Sequence, residues 1–266
     1  MLSINNDSTE VKIAAPLLRS LIYKRLSEAF RLPTEKFSSS IENGEFIKEM
    51  KEAVSQLQSL KFTDNPKLNE NLDVLSNTVD KMAPFSLDQF QSEFINIFGH
   101  TISEEYPPYE TQYGGAHIFQ QTQELADIAG FYKAFGLEIT DTAVERLDHI
   151  SIELEYMYFL SYKEAYARKN HNSEKVDICV NVQKKFLDEH LGEWVFHYIK
   201  LFRRKIKKGF YKELTDFMET FLSSDMKSLD LKIITPGKIK LTPYPTSVDD
   251  EACSSCSLEG DKLPMG

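Results

Sequence analysis

The chain has 266 residues, of which 41% are hydrophobic and 12% aromatic, so it can bury a full core and wholesale disorder is excluded. Its formal net charge of −10 disfavours nucleic acid and anionic lipid as partners and favours cationic ones such as basic peptides. The sequence has no run of ~20 apolar residues and no signal-like stretch in residues 1–10, which predicts a cytoplasmic protein without a membrane span.

Helically spaced apolar residues dominate the first hundred positions. The first predicted helix presents on one face Ile13, Leu17, Leu21, Ile22, Leu26 and Phe30, and it ends before Pro33. Two more helices are predicted around residues 46–57 and 68–82. Ser86 and Gln89 have the spacing of a capping box that opens a fourth helix, and Gly99 is suited to cap its C-terminus.

An interruption rich in Pro, Gly and Tyr follows at residues 100–116. Its centre, Tyr106-Pro-Pro-Tyr-Glu110, cannot be helical because both prolines lack an amide donor and Pro108 restrains the residue before it. We expect a rigid, extended connection that displays polar side chains. These are Tyr106, Tyr109, Glu110 and Tyr113. A stiff linker whose tyrosines pack on the core would show the same pattern, and the residues alone leave both interpretations open.

Helical spacing resumes over about residues 119–135, and Gly136 is suited to cap that helix. The longest helix is predicted over about residues 142–169, with Thr140 or Asp141 as its N-cap. Two or three further helices are predicted after it, the last of them carrying apolar residues as far as position 221.

No strand, hairpin or repeat pattern accompanies these helices. The predicted fold class is therefore all-α, with a single multi-helix domain over residues 1–235. After Thr235 the periodicity disappears and Pro, Ser and Asp dominate, so residues 236–266 are predicted to form a flexible tail. Within this tail, Cys253-Ser-Ser-Cys256 supplies only two of the four ligands of a structural zinc site and is a weak metal candidate.

A group of acidic residues and one histidine opens the longest predicted helix. Because residues three and four apart share a helix face, Glu145, Asp148 and His149 are expected to converge, with Glu153 close behind. The helix dipole favours carboxylates near an N-terminus, which explains them without any ligand. Beside tyrosines they would equally form an anionic patch that holds a guanidinium by charge-assisted bonds and cation–π contacts. The residue pattern leaves both interpretations open.

The sequence offers little support for catalysis. A di-iron site in a helical bundle needs a Glu-x-x-His pair from each of two helices. None of the five histidines other than His149 has a Glu three residues before it. No nucleotide-binding loop or hydrolase motif is present either, so we predict no catalytic residues and no cofactor. A helical metal-dependent enzyme that uses His149 and nearby carboxylates remains the alternative.

Three segments, taken in order, carry a resemblance to a known family. They are Tyr106-Pro-Pro-Tyr-Glu110, then Phe131-Tyr-Lys-Ala-Phe-Gly-Leu137, then Glu145-Arg-Leu-Asp-His149 with Glu153 behind it. In this order they resemble the TorD/DmsD/NarJ family of cytoplasmic molybdoenzyme maturation chaperones, over about residues 13–225. One departure is Leu147, where many members carry Pro.

The resemblance implies an all-α chaperone that is not an enzyme. Members bind the catalytic subunit of a molybdenum oxidoreductase, often through its twin-arginine leader, and hold it until the molybdenum cofactor is inserted and export can follow. The peptide-binding residues would then be Tyr106, Tyr109, Glu110, Tyr113, Glu145, Asp148, His149 and Glu153. A rival within the same fold is an adaptor that grips the mature subunit instead of its leader. The protein would act as a monomer or a homodimer, without nucleic acid or stable membrane insertion.

Overall fold

A computed structural model of the protein describes residues 9–82, 86–99, 105–114, 118–138, 145–233 and 241. Over these residues the chain forms ten α-helices and no β-strand, so the predicted all-α fold class is confirmed. The helices are α1 Thr9–Ala29, α2 Glu35–Glu42, α3 Glu45–Ser59, α4 Lys67–Met82, α5 Leu87–Phe98, α6 Ile118–Ala134, α7 Ile150–Asn170, α8 Ser173–Phe186, α9 Gly192–Lys205 and α10 Phe210–Ser228. A 3₁₀ turn at Glu110–Gln112 and a π-helical turn at Leu187–Leu191 complete the described elements.

The capping signals before residue 100 are confirmed, although one helix escaped prediction. At α5 the Ser86 hydroxyl accepts from Gln89 N at 3.2 Å, the Gln89 side chain accepts in return from Ser86 N, and Gly99 ends the helix with a φ of 81°. The unpredicted helix is α2, which has only eight residues, too few for apolar spacing to register. Its N-cap is Thr34, whose side chain accepts from Phe37 N at 3.3 Å.

α1 packs along α7, and a buried polar network ties both helices to α8 and α10. Arg19 of α1 forms ion pairs with Asp225 of α10 and, at 3.1 Å, with Glu164 of α7. It also donates to Gln183 of α8 at 2.8 Å, and the Tyr23 hydroxyl donates to Asp225 at 2.6 Å. Since removing one partner of a buried ion pair costs about 3–5 kcal/mol, these residues hold the four helices in register.

Aromatic rings fill the space between α2, α5 and α10. Phe90 meets Phe210 edge to face with ring centroids 5.3 Å apart, and Phe37 stacks on Phe90 at 5.8 Å. The proline-rich segment is anchored to the same core, because the ring of Tyr106 lies edge-on to Phe202 of α9 at 5.3 Å. Such contacts add to the free energy of burial and fix the angle between the helices.

The predicted start of the longest helix is wrong. α7 begins at Ile150 instead of about residue 142, and His149 is its N-cap, with Nδ1 accepting from Ser151 N at 3.2 Å. Glu145, Asp148 and His149 therefore precede the helix. They converge through the turn that leads into α7, and not on a shared helix face.

Three predictions concern residues outside the described part of the chain. The first is the pair of candidate caps Thr140 and Asp141, the second is the flexible tail over 236–266, and the third is the Cys253/Cys256 pair. Only Leu241 of the tail is described, so the domain boundary after residue 235 stays a prediction. Among the described helices, none combines the length and the apolar character needed to cross a bilayer.

Candidate peptide-binding site

The two polar motifs of the sequence pair with each other through the backbone. The pairing consists of an isolated antiparallel bridge between Tyr109 and His149, a hydrogen bond from Glu110 N to Asp148 O at 3.0 Å, and another from Ile150 N to Pro108 O at 2.9 Å. It joins residues 105–114, here called the Pro-Tyr segment, to residues 145–149, here called the pre-helix segment. The prolines take part only as acceptors, as their missing amide hydrogens require.

Asp148 lies fully buried at the centre of this pairing. Its Oδ2 accepts from Thr111 N at 3.3 Å and from Thr111 Oγ1 at 2.8 Å. Arg146 Nε donates to Oδ1 at 2.9 Å, and a second nitrogen of the same guanidinium donates to Oδ2 and to Thr111 Oγ1. The buried charge is thus neutralised and hydrogen-bonded from both segments, so Asp148 holds the site together.

Tyr109 joins the buried interior of the site to its surface. Its hydroxyl donates to Glu145 Oε2 at 2.9 Å, and the Arg146 guanidinium carbon lies 4.8 Å above its ring. Burial, followed by the nearby Glu145 carboxylate, raises the pKa of Tyr109, so its hydroxyl remains a donor at neutral pH. The side chain of Glu145 is 25% exposed, which makes it the accessible carboxylate of the pre-helix segment.

His149 is a buried, neutral cap. Only 4% of the residue is exposed, its Nδ1 lies 2.7 Å from Ser151 Oγ, and its ring packs edge-on against Tyr109 at 4.9 Å. Burial, together with the positive charges of Arg31 and Arg146, lowers the pKa of His149 to about 3. At neutral pH the imidazole therefore carries no charge with which to bind an anion.

A second pair of carboxylates lies beneath the Pro-Tyr segment. Glu153 is fully buried and accepts from Trp194 Nε1 at 3.0 Å, while Glu110 Oε1 lies 2.9 Å from His190 Nδ1. Burial, and then the charge and hydrogen bonding of Glu110, raise the pKa of Glu153 well above its ordinary value. Burial next to another carboxylate thus favours the neutral form of Glu153.

The outer tyrosines of the Pro-Tyr segment pack on the core, as expected for a stiff linker. Tyr106 is buried and donates to Ile97 O at 2.6 Å. The hydroxyl of Tyr113 donates to Pro107 O at 2.8 Å, and its ring centroid lies 5.2 Å from that of Trp194. These contacts anchor both ends of the segment and leave Tyr109 between them.

The structure therefore brings most of the predicted site residues together, but at different depths. Those that meet around the pairing are Tyr109, Glu110, Glu145, Asp148, His149 and Glu153. Asp148, His149 and Glu153 are buried, so none of these three is a surface contact in this conformation. Whether any of the eight residues contacts a peptide stays a prediction.

The site also contains residues outside the predicted set. Arg146 and Thr111 hold Asp148; both stand inside or next to the motifs, so their proximity was visible in the sequence. His190 holds Glu110 from 80 residues away, and no local signal could have revealed that contact. Glu124 and Glu193 also lie near Glu110, whose charge, after burial, raises the pKa of each.

The all-α fold agrees with the fold that the family resemblance implies. Residues 44–200, more than half of the chain, match the family model described as nitrate reductase delta subunit, and the chain belongs to this family. The resemblance to the TorD/DmsD/NarJ group is thereby confirmed.

Curated relatives agree with this assignment. The chain is 24% identical over 236 residues to the perchlorate reductase assembly chaperone protein of Dechloromonas aromatica (strain RCB), a match that covers 86% of the chain and 97% of the relative. It is 22% identical over 197 residues to the chaperone protein TorD of Aliivibrio salmonicida (strain LFI1238), covering 72% of the chain and 90% of the relative. Both relatives are named as chaperones, which supports a chaperone role and does not support the metal-dependent enzyme built on His149.

Proposed function

We propose that the protein binds, in the cytoplasm, the catalytic subunit of a molybdenum-cofactor oxidoreductase through that subunit's twin-arginine leader. It holds the subunit while the cofactor is inserted and delays export until insertion is complete. The proposal is supported by one relative named as a perchlorate reductase assembly chaperone, by another named chaperone protein TorD, and by the net charge of −10. Opposite net charges steer a basic leader toward such a surface.

The contact between Tyr109 and Glu145 carries the proposal. The chain's own Arg146 supports a guanidinium-binding role for this site, because its guanidinium lies over the Tyr109 ring at 4.8 Å and bonds both oxygens of Asp148. A leader arginine requires the same chemistry from groups that solvent can reach. Glu145, whose carboxylate accepts from the Tyr109 hydroxyl and is partly exposed, supplies it.

The predicted residues divide into three roles. Tyr109, Glu110 and Glu145 contact the leader. Asp148, His149 and Glu153 are positioning residues, since their burial places them behind the contacts. Tyr106 and Tyr113 tie the Pro-Tyr segment to the core. The segment is therefore rigid before binding and loses little conformational entropy when the leader binds.

Calorimetric titration tests the assignment of the site. The ligand is a synthetic twin-arginine leader peptide, and the variants are Glu145→Gln and Tyr109→Phe, which remove a charge and a hydroxyl with little change in shape. A partly exposed charge pair contributes about 1 kcal/mol, so we expect each variant to bind about fivefold more weakly. Binding by the parent chain should also weaken as salt is raised.

Glu174→Gln, on the exposed first turn of α8, is the matched control because it removes the same charge elsewhere. Asp148→Ala is unsuitable, since it would strand Arg146 and destabilise the fold by about 3–5 kcal/mol. Unchanged affinity in the Glu145→Gln/Tyr109→Phe double variant would overturn the assignment. If Glu174→Gln weakened leader binding as much as Glu145→Gln does, net charge alone would account for the loss of affinity.

A further inference from the structure

Three side chains with metal-ligating atoms meet beside the Pro-Tyr segment, and one of them, His190, touches Glu110, a proposed leader contact. They are Asp127 of α6 and Glu189 and His190 of the π-helical turn. One oxygen or ring nitrogen from each lies within 4.8 Å of the others. Asp127 and Glu189 are exposed, whereas His190 is only 3% exposed. The group thus has a buried nitrogen at its base and two carboxylates open to solvent.

The orientation of the His190 ring is the observation that points to a ligand. Its Nδ1 lies 2.9 Å from Glu110 Oε1, so the carboxylate fixes the ring and takes the Nδ1 hydrogen. Its Nε2 is buried and has no hydrogen-bond partner, and Asp127 Oδ2 lies 3.4 Å from it. A histidine held by a carboxylate at one nitrogen, with the other nitrogen directed at further oxygens, is the usual arrangement of a metal-bound imidazole.

The π-helical turn places these ligands. Between α8 and α9 the backbone widens over Leu187–Leu191, and adjacent residues Glu189 and His190 come to face α6 together. π-turns inside α-helices occur often at functional sites, because the inserted residue turns side chains in a direction that a regular helix forbids. The rings of Phe131 and Phe186 pack on His190 at 4.9 and 5.2 Å and keep it in place.

We propose that Asp127, Glu189 and His190 form a binding site for one divalent transition-metal ion, for which Zn²⁺ is the best fit. One imidazole and two carboxylates match the nitrogen and oxygen donors that Zn²⁺ accepts, and three protein ligands leave a coordination position for water or a partner's side chain. Glu124 and Glu193, which lie near Glu110 and His190, add negative potential around the ion. The proposal does not rest on leader binding, although Glu110, which holds His190, is also a proposed leader contact.

Two contacts compete with the ion. Lys185 Nζ lies 3.5 Å from Glu189 Oε2, but both side chains are exposed and the ammonium also rests 5.2 Å above the Phe131 ring. Exposed pairs of this kind are weak, so the ion displaces the ammonium readily. The second competitor is a proton on His190 Nε2, which Asp127 would stabilise in the metal-free chain.

Zinc titration of the full chain tests the proposal, in a Cys253→Ser/Cys256→Ser background so that the tail cannot bind the ion. Competition with a chromophoric chelator should give one equivalent of Zn²⁺ per chain. Asp127→Asn and Glu189→Gln change exposed side chains, and we expect each to weaken zinc binding at least tenfold. Asp188→Asn, the adjacent exposed carboxylate outside the group, should leave the affinity within twofold of the background.

Nitrogen-15 NMR of labelled histidine identifies the imidazole. We expect the Nε2 resonance of one histidine to shift on zinc addition, and that response to vanish in Asp127→Asn/Glu189→Gln, which keeps His190. Absence of stoichiometric binding, or equal affinity in the double variant, would overturn the site. Leader affinity in these variants is expected to stay unchanged, so this failure is separable from failure of the proposed function.

Discussion

His149 shows how a motif residue can serve the structure of its site. Its Nδ1 caps α7, its ring packs on Tyr109, and its Nε2 lies 3.8 Å from Glu145 Oε2. Burial and the cations Arg31 and Arg146 keep the imidazole neutral. At pH 7 a neutral buried histidine has little effect on the free energy of unfolding. In acid it lowers that free energy, because the unfolded chain binds a proton at this residue and the native chain does not.

Substitution of His149 by Asn should therefore make the protein less sensitive to acid. The unfolded pKa is about 6.5 and the native pKa about 3, so this residue lowers the free energy of unfolding progressively as pH falls through that window, by about 1.4 kcal/mol per pH unit. Asn remains a good N-cap and does not titrate. The free energy of unfolding would be measured with urea at pH 7 and pH 5. Between these two pH values we expect it to fall by about 1–2 kcal/mol less in His149→Asn than in the parent.

The matched control for this measurement is His171→Asn, at the exposed C-cap of the same helix, which should lose as much stability as the parent. Comparing the two pH values within each variant removes the packing cost of the smaller side chain. Equal losses in His149→Asn and in the parent would show that His149 is protonated in the native state, contrary to the burial seen here.

At the scale of elements, the π-helical turn is the least regular part of the fold, and it depends on one glycine. Gly192, the first residue of α9, lies against the turn so closely that a Cβ atom would sit 2.2 Å from Leu187 O and 2.8 Å from Met226 Cε. The backbone oxygen cannot move away without disturbing the turn. Glycine is therefore required here by close approach, with an ordinary φ of −72°.

Alanine scanning of glycines tests that requirement. Gly192→Ala should destabilise the protein by about 2 kcal/mol or more, because overpacking at a backbone contact forces the turn to shift. Gly130→Ala is the matched control, since a Cβ there meets nothing within 4 Å and alanine is favoured inside α6. We expect that variant to gain up to about 1 kcal/mol in thermal or urea unfolding. Equal stability of the two variants would contradict the packing described here.

Elements with local signals could be predicted from the sequence, and elements decided by distant contacts could not. The capping box of α5 is complete within four residues, so both its start and its cap were predictable. The start of α7 depends on Ile150 N, which donates to Pro108 O from a segment far back in the chain. Helical spacing before residue 150 predicted a longer helix. Pairing with the Pro-Tyr segment keeps residues 145–149 out of the helix instead.

The same distinction applies to the candidate site. Its residue types and their order identified the family, and Tyr109 and Glu145 do meet. Their depth was not predictable, because burial of Asp148 depends on Thr111 and burial of Glu153 depends on Trp194. A carboxylate in a motif looks the same in sequence whether it faces solvent or lies buried in the core.

At the scale of the whole molecule, the chain is an acidic helical scaffold that belongs to the nitrate reductase delta subunit family. Its buried network around Arg19 holds α1, α7, α8 and α10 together. The paired segments at the start of α7 are therefore attached to a helix whose position is fixed. Such a preorganised surface binds a flexible peptide at lower entropic cost than a loop that must order itself. The proposed client is correspondingly a basic leader that is disordered before binding.

The affinity for the client's catalytic subunit with and without its leader tests the central claim most directly. Both forms of a molybdoenzyme catalytic subunit that carries a twin-arginine leader would be titrated against the chain at low salt. We expect removal of the leader to weaken binding at least tenfold, and Glu145→Gln to weaken binding of the full-length subunit but not of the leader-deleted one. Equal affinity for the two forms would contradict the account, because the protein would then grip the mature subunit and the paired segments would not be a leader site.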